Sequence, residues 1–134
     1  MFKISAEWDS ISREWLTGYE ISYRIGAPTF TSTLRQTGNL NTATVHTFLK
    51  ILSLIPDSLI TRKNSIETAK DIADKAKEVL EVGGLNTEKG RNMLTRFDRE
   101  LQKSKGKLNP GSTADLTASS IMVSLNNDDA LPVY

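Results

Sequence analysis

With 134 residues, 38% apolar and 25% charged, the chain is long enough to bury one core and has the make-up of an ordinary folded domain. Its 17 Lys and Arg against 16 Asp and Glu leave a formal net charge of +1, so no global field draws in nucleic acid or an anionic membrane, and any anion must be held by a local cluster. With no cysteine there is no disulfide, no thiolate metal site and no Cys nucleophile.

Met1 to Ser10 has no apolar run of signal-peptide length. The most apolar segment, Val45 to Ile55, carries His46 and Lys50 and is too short to span a bilayer, so the expectation is a cytoplasmic protein. In chain order, Ser5 caps a first helix, with Glu7 in its first turn. Trp8, Ile11, Trp15 and Tyr19 fall on one face of it, Leu16 and Ile21 widen that face, and Gly26 and Pro28 end it. Ala27 to Leu40 is rich in Thr, Ser and Gly and reads as a loop. A second helix runs from about Asn41 to Ile55, capped by Asn41 or Thr42 and stopped by Pro56. Val45, Phe48, Leu49, Leu52 and Ile55 form its main stripe, broadened by Ile51 and Leu54. Its narrow polar strip, His46, Lys50 and Ser53, reads as solvated; the sharper alternative is that it lines a cleft.

Pro56 to Asn64 reads as a connector. Ser65 caps a third helix whose stripe of Ile66, Ala69, Ile72, Ala73, Ala76, Val79 and Leu80 suits close packing, and Gly83 and Gly84 stop it. Thr87 caps a fourth helix with Met93, Leu94, Phe97 and Leu101 inward and Arg96, Asp98, Arg99 and Glu100 outward. A fifth spans about Ser112 to Leu125, with Leu116, Ile121, Met122 and Leu125 apolar. The expected fold is all-α, a bundle of about five helices, with residues 1–125 as one helical domain and 126–134 as a flexible tail.

The stretch LNPGSTADLTASS, Leu108 to Ser120, concentrates the chemistry. Asn109, Pro110 and Gly111 make a turn, Gly111 permits close approach of backbone N–H groups to an anion, and Ser112 or Thr113 can cap the helix that follows. Lys103, Lys105 and Lys107 lie just upstream. Asp115 beside a triphosphate is repulsive unless a cation bridges them, so such a site would hold Mg²⁺ with Asp115 as ligand. The same residues also read simply as a capping box with lysines at the preceding helix end. Asp57, Arg62 and Lys63 are a second cluster: two cations for a phosphate chain and a carboxylate for metal or base, or a surface loop with a weak ion pair. His46 is the lone histidine. No GxxxxGK[ST], HExxH or dinucleotide fingerprint occurs.

PDSLITRKNS, then KEVLEVGGLNTEKGR, then LNPGSTADLTASS occur in that order at fitting distances. Together they resemble the C-terminal part of the triphosphoribosyl-dephospho-CoA synthase family, especially its archaeal-type members, from about Leu49 to Leu125. The NPGSTADLTA run is the most specific piece and PDSLITRK the next. The resemblance implies a transferase that moves the 5-triphosphoribosyl group of ATP to the 2′-hydroxyl of dephospho-CoA or a related acceptor, with adenine leaving. The product is a precursor of the prosthetic group of citrate lyase and malonate decarboxylase acyl carrier subunits. It implies Asp115 as Mg²⁺ ligand or base, Asp57 as second carboxylate, Arg62 and Lys63 on phosphates, and Asn109, Gly111, Ser112 and Thr113 around a phosphate or ribose. The family's PKPG-type segment and acidic, His-containing stretch do not occur here, which points to a truncated or split member whose site is incomplete, completed by a complementary N-terminal-half chain, or remodelled by self-association into a homo-oligomer. The alternatives are a nucleotide- or phosphate-binding helical module without catalysis and a helical interaction protein.

Overall fold

Six α-helices follow one another in a computed structural model that describes residues 20–126. They are α1 (Ala27–Thr37), α2 (Leu40–Leu54), α3 (Ser58–Lys63), α4 (Ile66–Glu81), α5 (Glu88–Lys103) and α6 (Gly111–Asn126). A π-helical turn, Ser22–Gly26, leads into α1, and a 3₁₀ turn, Gly84–Asn86, joins α4 to α5. There is no strand among the described residues, and no described helix is long and apolar enough to cross a membrane. Most of the expected first helix and the tail lie outside the described residues, except that Asn126 is the last residue of α6.

The all-α expectation holds, and two stretches expected to be irregular are helical. Gly26 and Pro28 do not end a helix. Ala27 N–H bonds back five residues to Ser22 O, and this wide turn carries the chain into α1 with Pro28 in its first turn, where a missing N–H costs least. The threonines that made α1 look like a loop turn their hydroxyls onto their own helix: Thr29 donates to Ile25 O at 2.7 Å and Thr37 to Thr33 O at 2.8 Å. Phe30 is buried, and α1 packs along α2. Gly38, at φ 64°, stops α1 in the left-handed region. The cap of α2 is Asn39, which accepts from Thr42 N–H at 3.0 Å, rather than Asn41 or Thr42.

Helix α2 is central and packs on α4, α1 and α6. Leu49 and Leu52 join Ile60, Ala69, Ile72, Ala76, Val79 and Phe97 in one core, and Ile51 and Ile55 join Ile21 and Leu116 in another. Leu54 broadens nothing and is exposed. Ser65 and Thr87 cap α4 and α5 as expected.

Helix α6 departs most from its apolar pattern. Met122 and Leu125 are 63% and 57% exposed, while Ser112, Thr113, Leu116, Thr117, Ser120 and Ser124 are buried. Thr117, Ser120 and Ser124 donate to the carbonyls of Thr113, Leu116 and Ser120, so a hydroxyl face can be buried without unpaired groups. Small side chains also permit close contact: a Cβ added at Gly26 would lie 1.7 Å from Ser120 Oγ.

Candidate functional site

Pro56 holds Ile55 extended, ends α2 and delivers Asp57 to the start of α3. Asp57 is fully buried. Its Oδ1 accepts from Leu59 N–H at 2.8 Å and Ile60 N–H at 3.1 Å, which caps α3. Its Oδ2 accepts from Thr113 N–H at 2.7 Å and Thr113 Oγ1–H at 2.8 Å, which caps α6. One carboxylate therefore caps two helices that begin 53 residues apart, at Ser58 and Gly111. Beside it the hydroxyls of Ser58 and Ser112 share a short hydrogen bond. Gly111 lets α6 start against α3, since a Cβ there would lie 2.4 Å from Leu59 Cδ1.

The expectation that Ser112 or Thr113 caps α6 is corrected. The cap comes from Asp57 because both hydroxyl residues are buried and turned inward. Asp115 is not part of a local capping box either. It lies two residues past Thr113, about 200° around the helix, on the side away from Asp57. It is exposed and makes no hydrogen bond or ion pair with a described residue. The two expected carboxylates are therefore separated by the body of α6.

The cations are brought together. Asn64 Nδ2 donates to Lys107 O at 2.7 Å, and Lys63 Nζ reaches Gly106 O at 3.4 Å. The end of α3, with exposed Arg62 and Lys63, thus abuts the turn carrying exposed Lys105 and Lys107. Lys105 (φ 56°) and Gly106 (φ 91°) fold that turn back through the left-handed region. Lys63, Lys105 and Lys107 make no ion pair with described residues, so the flank keeps its charge for an anion. Asn109 is exposed; its N–H donates to Gly106 O at 3.3 Å and its carbonyl accepts from Gly111 N–H at 2.9 Å.

Among the described residues no group of three or more His, Asp or Glu could hold a metal ion. Asp57 is committed to four donors, and Asp115 is a single carboxylate. Of the two, Asp115 is thus the one carboxylate left open to a cation.

His46 is buried, not on a solvated strip. Its Nε2 accepts from Leu85 N–H at 3.0 Å, and burial lowers its pKa below the usual 6.5. Gly84, at φ 54°, makes this fit possible, since a Cβ there would lie 2.5 Å from Nε2. The imidazole is a fastener for the double-glycine turn.

A cavity of about 480 Å³ opens between α2, α5 and the turn before α6. Phe48, Leu101, Pro110 and Ala114 wall it, and Asp98, Gln102 and Asn109 supply polar groups. A shallower hollow of about 440 Å³ continues along α2 and α6 past Val45, Thr117 and Ile121. Asp98 is exposed, as the outward face of α5 predicts, and it also lines this cavity. The four-residue spacing from Asp98 to Gln102 is the one sequence signal that ties them together.

The chain matches the CitG family, described as ATP:dephospho-CoA triphosphoribosyl transferase, over residues 1–131, well beyond the stretch from Leu49 to Leu125. It is 30% identical over 91 residues to the 2-(5''-triphosphoribosyl)-3'-dephosphocoenzyme-A synthase of Klebsiella pneumoniae; the aligned stretch covers 68% of this chain and 30% of that relative. No solved structure matches it.

Proposed function

Because the chain belongs to the ATP:dephospho-CoA triphosphoribosyl transferase family, we propose that it takes part in transfer of the 5-triphosphoribosyl group of ATP to a hydroxyl of dephospho-CoA or a related acceptor. In that step the bond from C1′ to adenine N9 breaks and its electron pair leaves with adenine. A bond from the acceptor oxygen to C1′ forms as the hydroxyl gives up its proton. The transition state carries positive charge at the anomeric carbon. The protein must neutralise a triphosphate, accept a proton and steady the leaving base.

The observation that carries the reading is the joining of the α3 end to the lysine turn. Lys63 on Gly106 and Asn64 on Lys107 build one cationic flank from motifs 43 residues apart. We assign the triphosphate to Arg62, Lys63, Lys105 and Lys107. Asn109, at the adjoining turn, suits the nucleoside part of the donor. Asp115 is the exposed carboxylate that can receive the acceptor proton or hold a Mg²⁺ carried by the phosphates; such an ion would supply charge neutralisation. Asp57, Ser112 and Thr113 are assigned to positioning, since their side chains are buried and hydrogen-bonded within the α3–α6 junction, and Gly111 likewise, since it lets α6 start against Leu59.

The test is adenine release from ATP and Mg²⁺, with and without dephospho-CoA. Release that depends on the acceptor, and that falls about 100-fold or more in Asp115→Asn with the melting temperature unchanged, supports the assignment. Full activity in the variant removes Asp115 from the chemistry. The aligned stretch spans 30% of its Klebsiella relative, which favours a second reading. In it the chain binds nucleotide and depends on another polypeptide or a second copy for turnover, with exposed Met122 and Leu125 as part of the contact. ATP binding without adenine release would select that reading.

A further inference from the structure

The phosphate assignment leaves the 480 Å³ cavity unused. Its size falls in the range of small-molecule sites, roughly 300–1,000 Å³. Its lining is apolar at Phe48, Leu101, Pro110 and Ala114 and polar at Asp98, Gln102 and Asn109. Gln102 Nε2 donates to Asp98 Oδ2 at 3.0 Å, which steadies the carboxylate. Asp98 Oδ1 and the Asn109 side-chain amide make no hydrogen bond with a described residue. An acceptor and a donor in the lining of one part-apolar slot match a heterocycle that offers an amino group beside a ring nitrogen.

Position links this slot to the cationic flank. Gly106 lines the cavity, and its carbonyl is the acceptor of the Lys63 contact. Asn109 lines the cavity and belongs to the turn that starts α6. A molecule with a base in the slot would pass its phosphates over Gly106 towards Lys63, Lys105 and Lys107.

We propose that this cavity holds the purine base of the nucleotide donor, with Asp98 accepting from the exocyclic amine and Asn109 donating to a ring nitrogen. The assignment rests on the transferase reading above and adds the specificity of the same site. Adenine presents an amine at the position where guanine presents a carbonyl, and a carbonyl oxygen facing Asp98 is repelled. Asn109 also draws charge from the ring as the bond to C1′ breaks and the electron pair moves onto adenine.

The experiment is equilibrium binding of adenosine, guanosine, inorganic triphosphate and dephospho-CoA to the full chain, followed by NMR titration. Ala114 and Asp98 are exposed, so Ala114→Leu and Asp98→Asn fill or recode the slot without entering the core, and unchanged melting temperatures check this. The expected result is that adenosine binds in preference to guanosine. Ala114→Leu then weakens adenosine about tenfold or more while leaving triphosphate unchanged, and Asp98→Asn shrinks the preference about tenfold. Adenosine binding indifferent to both variants would place the base elsewhere and leave the transferase reading standing. Loss of dephospho-CoA binding alone in Ala114→Leu would give the slot to the acceptor and overturn the proposal. If neither adenosine nor triphosphate binds and no adenine is released, the transferase reading falls with it.

Discussion

Two buried polar side chains each fasten a helix start or turn to the middle of the bundle, and they do it unequally. Asp57 ties α3 and α6 together with four hydrogen bonds, two from each helix start. His46 ties the double-glycine turn to α2 with one hydrogen bond, from Leu85 N–H to Nε2. Asp57 sits where one carboxylate replaces two separate caps, so its loss strands donors on both helices. His46 works only as the neutral imidazole, since a protonated Nε2 is a donor and faces a donor. The stronger fastener underlies the candidate site. The weaker one supports a turn at the other end of α4.

Three measurements can break or sharpen that contrast. The largest effect is expected for Asp57→Asn. Whichever way the amide turns, its NH₂ faces backbone donors at one helix start, and a loss of about 3 kcal/mol is expected by urea unfolding. A loss below about 1 kcal/mol would mean that one of the two caps is dispensable. Next is Gly84→Ala. The residue has φ 54°, and its new Cβ would meet the imidazole at 2.5 Å, so a cost of about 1–3 kcal/mol is expected. The Asp57 junction should be untouched, as protection of the Thr113 amide from hydrogen exchange would show.

The smallest effect is the pH dependence of His46. Its folded pKa is depressed from 6.5, so the unfolded chain takes up its proton first as pH falls. Its contribution is whole above pH 6.5 and is lost as pH falls from there through the lowered folded value. Unfolding at stepped pH should show this decline. His46→Gln keeps an acceptor near Nε2 but does not titrate, so the variant should lose the His46 part of the slope. An unchanged slope would assign it to other groups.

How the site lies in the sequence differs from part to part. Lys63, Lys105 and Lys107 are visible as charges, but in two separate clusters. Only the contacts of Lys63 with Gly106 and Asn64 with Lys107 make them one flank. In the sequence Asp115 reads as the metal ligand or base and Asp57 as the second carboxylate. Burial beneath four donors separates Asp57 from exposed Asp115. Asp98 and Phe48 gave no sign of a shared cavity, because a cavity arises from the spacing of helices and has no local pattern.

The sequence by itself determined that the chain is helical, where α4 and α5 begin, and that Pro56, Gly83 and Gly84 interrupt it. These rest on local rules: a hydroxyl three residues before an N–H, a ring without a donor, a backbone free to go left-handed. Its ordered motifs also carried the family, which the match over residues 1–131 bears out. Tertiary structure alone decided that Ala27–Thr37 is a helix and that α6 buries its hydroxyls and exposes Met122 and Leu125. It also decided that Asp57 caps α6 through Thr113, 56 residues away, since a buried donor takes whichever acceptor the packing brings to it.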